Sequence, residues 1–286
     1  DDGLYITPKS NAAMKGLTFG DHGYYLDNAT NAETDASGNG NNFTNSNTVT
    51  LAKNTPTNTQ ALFSPINVDG TSNVPTLSNG NKTLTAASTT GTRMGLNITI
   101  PTVGKWILGV SQTAANDNGK AFGIWTLRSD VAGFPSTGNF LGFHVTTATN
   151  IYESDGTYVA NPTVAAADQF YIAADVDNSK VFCGFWDASG TSITWYANDG
   201  GTDGNPATGD NPFETIDVGG MDYAAAAYNA KTFTLVDEAD IPFTIPSGYK
   251  YLNTTNIASA TTRTASDTDK YFKTVLYEGN GAGQRV

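Results

Sequence analysis

DQFYIAADVDNSKVFCGFWDA, residues 168–188, decides the fold. Two apolar, β-rich runs, 168–177 and 180–188, flank Asp177-Asn178-Ser179, residue types whose side chains bond their own backbone and so favour tight turns. The stretch therefore reads as a β-hairpin. In its second half Val181, Cys183 and Phe185 alternate with Phe182, Gly184 and Trp186. Apolar residues on both faces place this strand in the interior of a sheet that is covered on each side. Cys183, the one cysteine, has no intramolecular disulfide partner and reads as a buried structural thiol.

The same grammar extends outward. KWILGVSQT (105–113), AFGIWTLR (121–128), NFLGFHVTT (139–147), TSITWYAN (191–198) and KTFTLVD (231–237) are further short strands, punctuated by turn signals such as SNGN, NDNG, SDG and PSG. Many short strands without intervening helical periods predict an all-β fold, an antiparallel β-sandwich. MDYAAAAYNA (221–230) is the one helix-like segment, and it reads equally as a small-residue strand. Residues 28–60 and 197–213 read as long loops, the positions where a rigid sandwich usually carries its binding residues.

The 286 residues are 38% hydrophobic but only 15% charged, and 42 Thr and 28 Asn fill the deficit. This composition excludes a coiled coil and a disordered chain. A net charge of −12 repels phosphate backbones and anionic membranes, so neither nucleic acid nor membrane insertion is expected. No apolar run approaches the roughly 20 residues of a membrane-spanning helix.

DASGNGNNFT (35–44), NTPTNTQALFSPIN (54–67), TLSNGNKTLT (76–85), GKWILGV (104–110), ADQFYIAADVDNSKVFCGF (167–185) and IPFTIPSGYKYLNTTNI (241–257), in that order, resemble segments of virion proteins of bacteriophages, above all marine-type tail-fibre proteins with a SPRY-like or concanavalin A-like jelly-roll sandwich. The first two together are similar to that family's opening motif. The next three resemble its core strands, and the last resembles its closing segment. The 197–230 region is longer than the family's usual short turn. The resemblance implies a non-enzymatic virion protein, a fibre, spike or decoration subunit on the particle surface, presenting a lectin-like face to a host receptor or glycan. A subunit without ligand binding is the alternative. Its implied partners are other virion proteins and further copies of itself, with a trimer as the expected assembly.

The domain reading is a sandwich over 1–258, a Ser/Thr-rich linker over 259–270 and a C-terminal strand over 271–286. That last strand is expected to dock on a neighbour or to open a further module.

Sugar binding needs an aromatic platform beside planar polar groups. Trp195 and Tyr196 run into a loop with Asn198, Asp199 and Asp203, which makes these five the candidate glycan or receptor site; adjacent strand residues face opposite ways, so one of the two rings belongs to the core. No cofactor motif is present. Asp199, Asp203 and Asp210 lie in a Gly-rich loop that offers oxygen ligands to calcium, although such loops also occur as plain solvated turns.

A hydrolase stands third. Concanavalin A-like glycosidases place two carboxylates on one sheet face, and the nearest pair here is Asp175 and Asp177, which also read as turn residues. Glu33, Glu153, Glu214, Glu238 and Glu278 fall in no Glu-x-Asp-x-x-Glu strand. His22 and His144 lack a nucleophile elbow, and His144 reads as a strand residue held by a hydrogen bond.

Overall fold

The computed structural model describes residues 11–26, 33–44, 46, 59–68, 74–86, 92–112, 120–125, 140–145, 149–152, 158–160, 162–227 and 231–260. In the first half of the chain run β1 (Phe63–Val68), β2 (Thr76–Ser78), β3 (Thr83–Thr85), β4 (Thr92–Leu96), β5 (Lys105–Gln112), β6 (Lys120–Trp125), β7 (Phe140–Val145) and β8 (Thr149–Tyr152). They are followed by β9 (Tyr158–Ala160), β10 (Gln169–Asp175), β11 (Lys180–Trp186), β12 (Ile193–Tyr196), β13 (Glu214–Thr215), β14 (Asp222–Ala227), β15 (Thr232–Leu235) and β16 (Lys250–Tyr251). Two short α-helices, α1 (Asn11–Lys15) and α2 (Thr254–Ala260), and two 3-10 turns, Val176–Asn178 and Glu238–Asp240, complete the described elements.

One sheet has the order β1-β4-β14-β6-β7-β8-β9 and the other β12-β11-β10-β5-β15-β3-β2, with β13 beside β11 and β16 beside β5. Every pairing is antiparallel except the two-residue β16–β5 contact. The predicted all-β antiparallel sandwich is therefore the observed fold.

The deciding hairpin forms as read. β10 and β11 pair from Gln169↔Trp186 to Asp175↔Lys180. The turn between them is a single 3-10 turn, Val176–Asn178, closed by Ser179 in the left-handed conformation at φ 53°. Asp175, rather than Asp177, caps it by accepting from the Asn178 backbone N–H and side-chain amide. Asp177 instead accepts from the Gly104 N–H and ties the turn to the start of β5.

β11 lies between β10 and β12, and its two faces feed two separate clusters. Val181, Cys183 and Phe185 join the core between the sheets, with Leu108, Val110, Phe170, Ile172 and Phe233 from the same sheet. Met94, Phe122, Ile124, Leu141, Phe143 and Tyr223 meet them from the other sheet. Each such burial contributes about 1.5–3 kcal/mol before cavity effects. Cys183 is fully buried, which pushes its thiol pKa well up and leaves it unreactive.

Phe182, Trp186 and Trp195 point to the opposite face with Ile107 and Tyr171, where the returning segment covers them through Ile241, Phe243 and Ile245. Glycines make room there. A Cβ on Gly184 would stand 2.6 Å from the Trp195 ring, and one on Gly109 would overlap the ring of Tyr171.

The Ala-rich segment resolves to the strand β14, because Tyr223 and Ala225 alternate into the core. The helix lies instead at α2, where Asn253 caps the first turn by accepting from the Asn256 N–H. α2 takes in residues 259 and 260 of the expected linker. Residues 261–286, the expected C-terminal strand among them, lie outside the described residues, as do Glu153, Glu278 and most of the 28–60 loop.

Candidate functional site

Of the residues singled out from sequence, Trp195 and Tyr196 are both buried, at 8% exposure each. Tyr196 belongs to the inter-sheet core, as strand alternation requires of one of the pair. Trp195 faces the other way but is covered, with the Phe243 ring edge-on at 6.3 Å and 88°. Tyr196 is covered by the other sheet, and Trp195 by the closing segment that lies over its sheet face.

The loop after β12 is folded on itself. Asp199 accepts from the Gly201 N–H at 2.8 Å, Asp203 from the Asn211 amide at 2.9 Å and Asp210 from the Thr208 hydroxyl at 2.6 Å. Asn198 is exposed at its rim. Among the described residues no group of three or more His, Cys, Asp or Glu side chains is placed to hold a metal ion. Asp199 and Asp210 turn back onto their own neighbours in the loop, while Asp203 reaches across it to Asn211.

Asp175 does not pair with Asp177 over a cleft. It is 1% exposed and bridges the Lys105 ammonium at 2.8 Å. His22 is exposed, and His144 lies on β7, where burial lowers its pKa to about 4.

The opening motif has a structural role of its own. Asp35 accepts from the Ser37 hydroxyl and from the backbone N–H groups of Tyr25, Ser37 and Asn41. These bonds, the Ser37 hydroxyl first, lower its pKa to about 2. Asn39 and Asn41 donate their side-chain amides to carbonyls of Gly20, Asp21 and Gly23, so the motif clasps the preceding turn.

The site that sequence reading missed lies on the outer face of the other sheet. Met94 and Leu96 face the core, so Arg93 and Gly95 face out; by the same alternation Asp222 and Ala224 face out of β14, and Ala121, Gly123 and Trp125 out of β6. Register aligns Asp222 with Trp125, and Gly95, Ala224, Gly123 and Gly142 form a row across neighbouring strands. That row has no large side chains, so it is the floor of a trough. Phe140 leans into one end, its ring 2.9 Å from where a Gly123 Cβ would stand.

Asn67 closes the other end. β1 and β4 match at Phe63↔Leu96 and Val68↔Met94, so extra residues of β1 bulge from the sheet edge. Pro65, which cannot donate to a ladder, stands within the bulge. Ile66 is thrown outward, at 94% exposure, while Asn67 turns in and donates to the Leu96 carbonyl at 3.2 Å.

Between these ends is a cavity of about 150 Å³ lined by Asn67, Arg93, Gly95, Trp125 and Asp222 among others. The Arg93 guanidinium lies over the Trp125 ring, 5.1 Å from its centroid. A second, more open cavity of about 360 Å³ adjoins it, sharing Asn67 and Asp222 and adding Ser64, Ile66 and Thr99. Trp125 is itself only 7% exposed beneath Arg93, so the cleft offers a planar cation, a carboxylate and an amide, with the indole as the support of the guanidinium rather than an open platform. Its sequence signal was the alternation R-x-G, D-x-A and G-x-W in 93–95, 222–224 and 123–125, legible only once the three strands are aligned.

No protein-family model matches the chain, and no curated protein matches it. Among solved structures it is similar to the SPRY domain of human HERC1, at 12% identity and TM-score 0.45, over 62% of this chain and 98% of that one. It is also similar to the TRIM65 PSpry domain, at 9% identity and TM-score 0.42, over 63% and 93%. Lectin I-B4 from Griffonia simplicifolia, in its metal-free form, matches at 11% identity and TM-score 0.37, over 62% and 90%. The sheet order, register and shared core establish this chain as an all-β antiparallel sandwich.

Proposed function

We propose that this chain is a non-enzymatic binding sandwich displayed on a phage particle, where it contacts a glycan of the host surface. The observation that carries the reading is the cleft on the seven-stranded sheet, which gathers Trp125, Arg93, Asp222 and Asn67. A carboxylate accepts from sugar hydroxyls, while guanidinium and amide donate to them; the register of β4, β14 and β6 pre-organises Arg93, Asp222 and Trp125, and the β1 bulge brings in Asn67. Asp222 is the sole carboxylate among the described residues lining either cavity of the cleft, whereas glycoside hydrolysis uses two.

The phage setting rests on the resemblance of 35–67 and 241–257 to tail-fibre proteins. An acidic, Thr- and Asn-rich surface suits a particle in salt water, where hydration keeps the protein soluble while charge is screened. In that setting the chain repeats around a symmetry axis, as a homotrimer against other virion proteins.

The reading is tested on a glycan array that displays neutral and acidic bacterial surface sugars, with the wild type beside Asp222→Asn. Binding that the substitution abolishes at unchanged melting temperature supports it. A blank array from folded protein rejects it.

A further inference from the structure

The two adjoining cavities differ in a way that specifies what part of a glycan they take. The inner one, about 150 Å³, lies well below the roughly 300–1,000 Å³ of pockets for drug-sized ligands, so it has room for at most a single sugar ring. Arg93, Trp125 and Asp222 wall it, and Gly95 and Ala224 floor it. The outer one is about 360 Å³ and opens along the bulged edge strand, with Ile66 at its rim. Asn67 and Asp222 border both and stand at the junction between them.

Among the described residues that line the cleft, Arg93 and Asp222 are the charged side chains, one of each sign, and the chain as a whole carries −12. An anionic sugar would meet the Asp222 carboxylate and the overall negative field, which disfavours it. A neutral hexose satisfies the same groups without that cost, because its hydroxyls both donate to Asp222 and accept from Arg93 and Asn67. Ile66, exposed on the bulge, offers an aliphatic surface to the apolar face of the next ring.

We propose that the cleft binds the terminal disaccharide of a neutral glycan, the last hexose in the Arg93–Trp125–Asp222 pocket and the penultimate sugar against Ile66. This rests on the glycan-binding reading above and adds end recognition and exclusion of acidic sugars. Asp222 and Asn67, at the junction, span the linkage between the two rings.

The experiment is a calorimetric and NMR titration of the full chain with methyl hexosides, with lactose, maltose and cellobiose, and with sialyl- and glucuronyl-capped forms of the same disaccharides. At least one neutral disaccharide is expected to bind, about fivefold tighter than its terminal methyl hexoside and about tenfold tighter than its capped form. Ile66→Ser is expected to erase most of the disaccharide advantage and leave the hexoside affinity unchanged, and its exposed position keeps folding out of the comparison. Equal affinity for capped and uncapped sugars, or binding of acidic sugars alone, overturns end recognition while glycan binding itself stands. Silence toward every sugar, neutral and acidic, from folded protein overturns both.

Discussion

The side-chain amide of Asn67 lies directly on the α-carbon of Gly95, so that a methyl group there would stand 2.6 Å from its Cγ. Gly95 is therefore what admits Asn67 into the cleft, and the bulge of β1 is what delivers it. Gly95→Ala is expected to swing the amide out, break its bond to the Leu96 carbonyl and lower stability by about 1 kcal/mol. The Asn67 side-chain NH₂ resonances report the displacement, and sugar affinity falls with it. An unmoved amide contradicts the assignment of Gly95 as its seat.

A harsher effect is expected at Gly184, in the middle of an interior strand. Its Cβ would meet the Trp195 ring from below while Phe243 packs on that ring from the side. Gly184→Ala should cost about 2–3 kcal/mol in chemical denaturation, near the upper end for overpacking. Gly220→Ala makes the control, since nothing lies within 4 Å of its Cβ and only the backbone preference at φ 80° opposes it.

Removing the cover of Trp195 separates the two possible sugar faces. Phe243 contacts Tyr171 at 4.8 Å, Trp186 at 5.9 Å and Trp195 at 6.3 Å between ring centroids, so Phe243→Ala should cost about 2–3 kcal/mol and shift tryptophan emission to the red. Sugar affinity is expected to hold at temperatures where the variant is folded. A gain of affinity would return the site to Trp195.

Acid lowers stability through two groups in succession. The pKa of His144 falls from 6.5 unfolded to about 4 folded because burial disfavours its charge; the unfolded chain binds the extra proton, and stability declines as pH drops from 6.5 to about 4. The pKa of Asp35 is 3.8 unfolded and about 2 folded, so its contribution is complete above pH 3.8 and is lost as pH falls toward 2. Denaturant midpoints measured from pH 7 to pH 2 should show both declines, and Asp35→Asn should remove the second. Rising stability anywhere in that range on acidification contradicts these assignments.

Asp175→Asn tests the turn reading against the hydrolase reading. It removes the carboxylate that the half-buried Lys105 ammonium faces and should cost about 2 kcal/mol, whereas loss of a polysaccharide-cleaving activity with this substitution would support the hydrolase reading.

The hairpin 168–188 was legible because alternation and turn chemistry are local: Val181/Cys183/Phe185 and Phe182/Trp186 divide between two clusters as read. That one of Trp195 and Tyr196 faces the inter-sheet core was legible for the same reason, though not which. The burial of Trp195 was not legible, because Phe243 reaches it from a segment nearly fifty residues later, and no local pattern encodes that cover. The cleft was hidden in the same way. Arg93, Trp125 and Asp222 come from three separate strands, and MDYAAAA alone cannot choose between helix and strand until β4 and β6 flank it. Asp199, Asp203 and Asp210 have the composition of a cation loop, yet each bonds within its own loop, a choice that depends on backbone geometry rather than residue type.

The most direct test of the account is chemical-shift mapping of a bound neutral disaccharide on the isotope-labelled protein. The account predicts that the Trp125 indole N–H, the Asn67 side-chain amide and the backbone amides of Gly95 and Asp222 move together and saturably. Shifts confined to Trp195 and the 197–213 loop, with those four signals still, would contradict it.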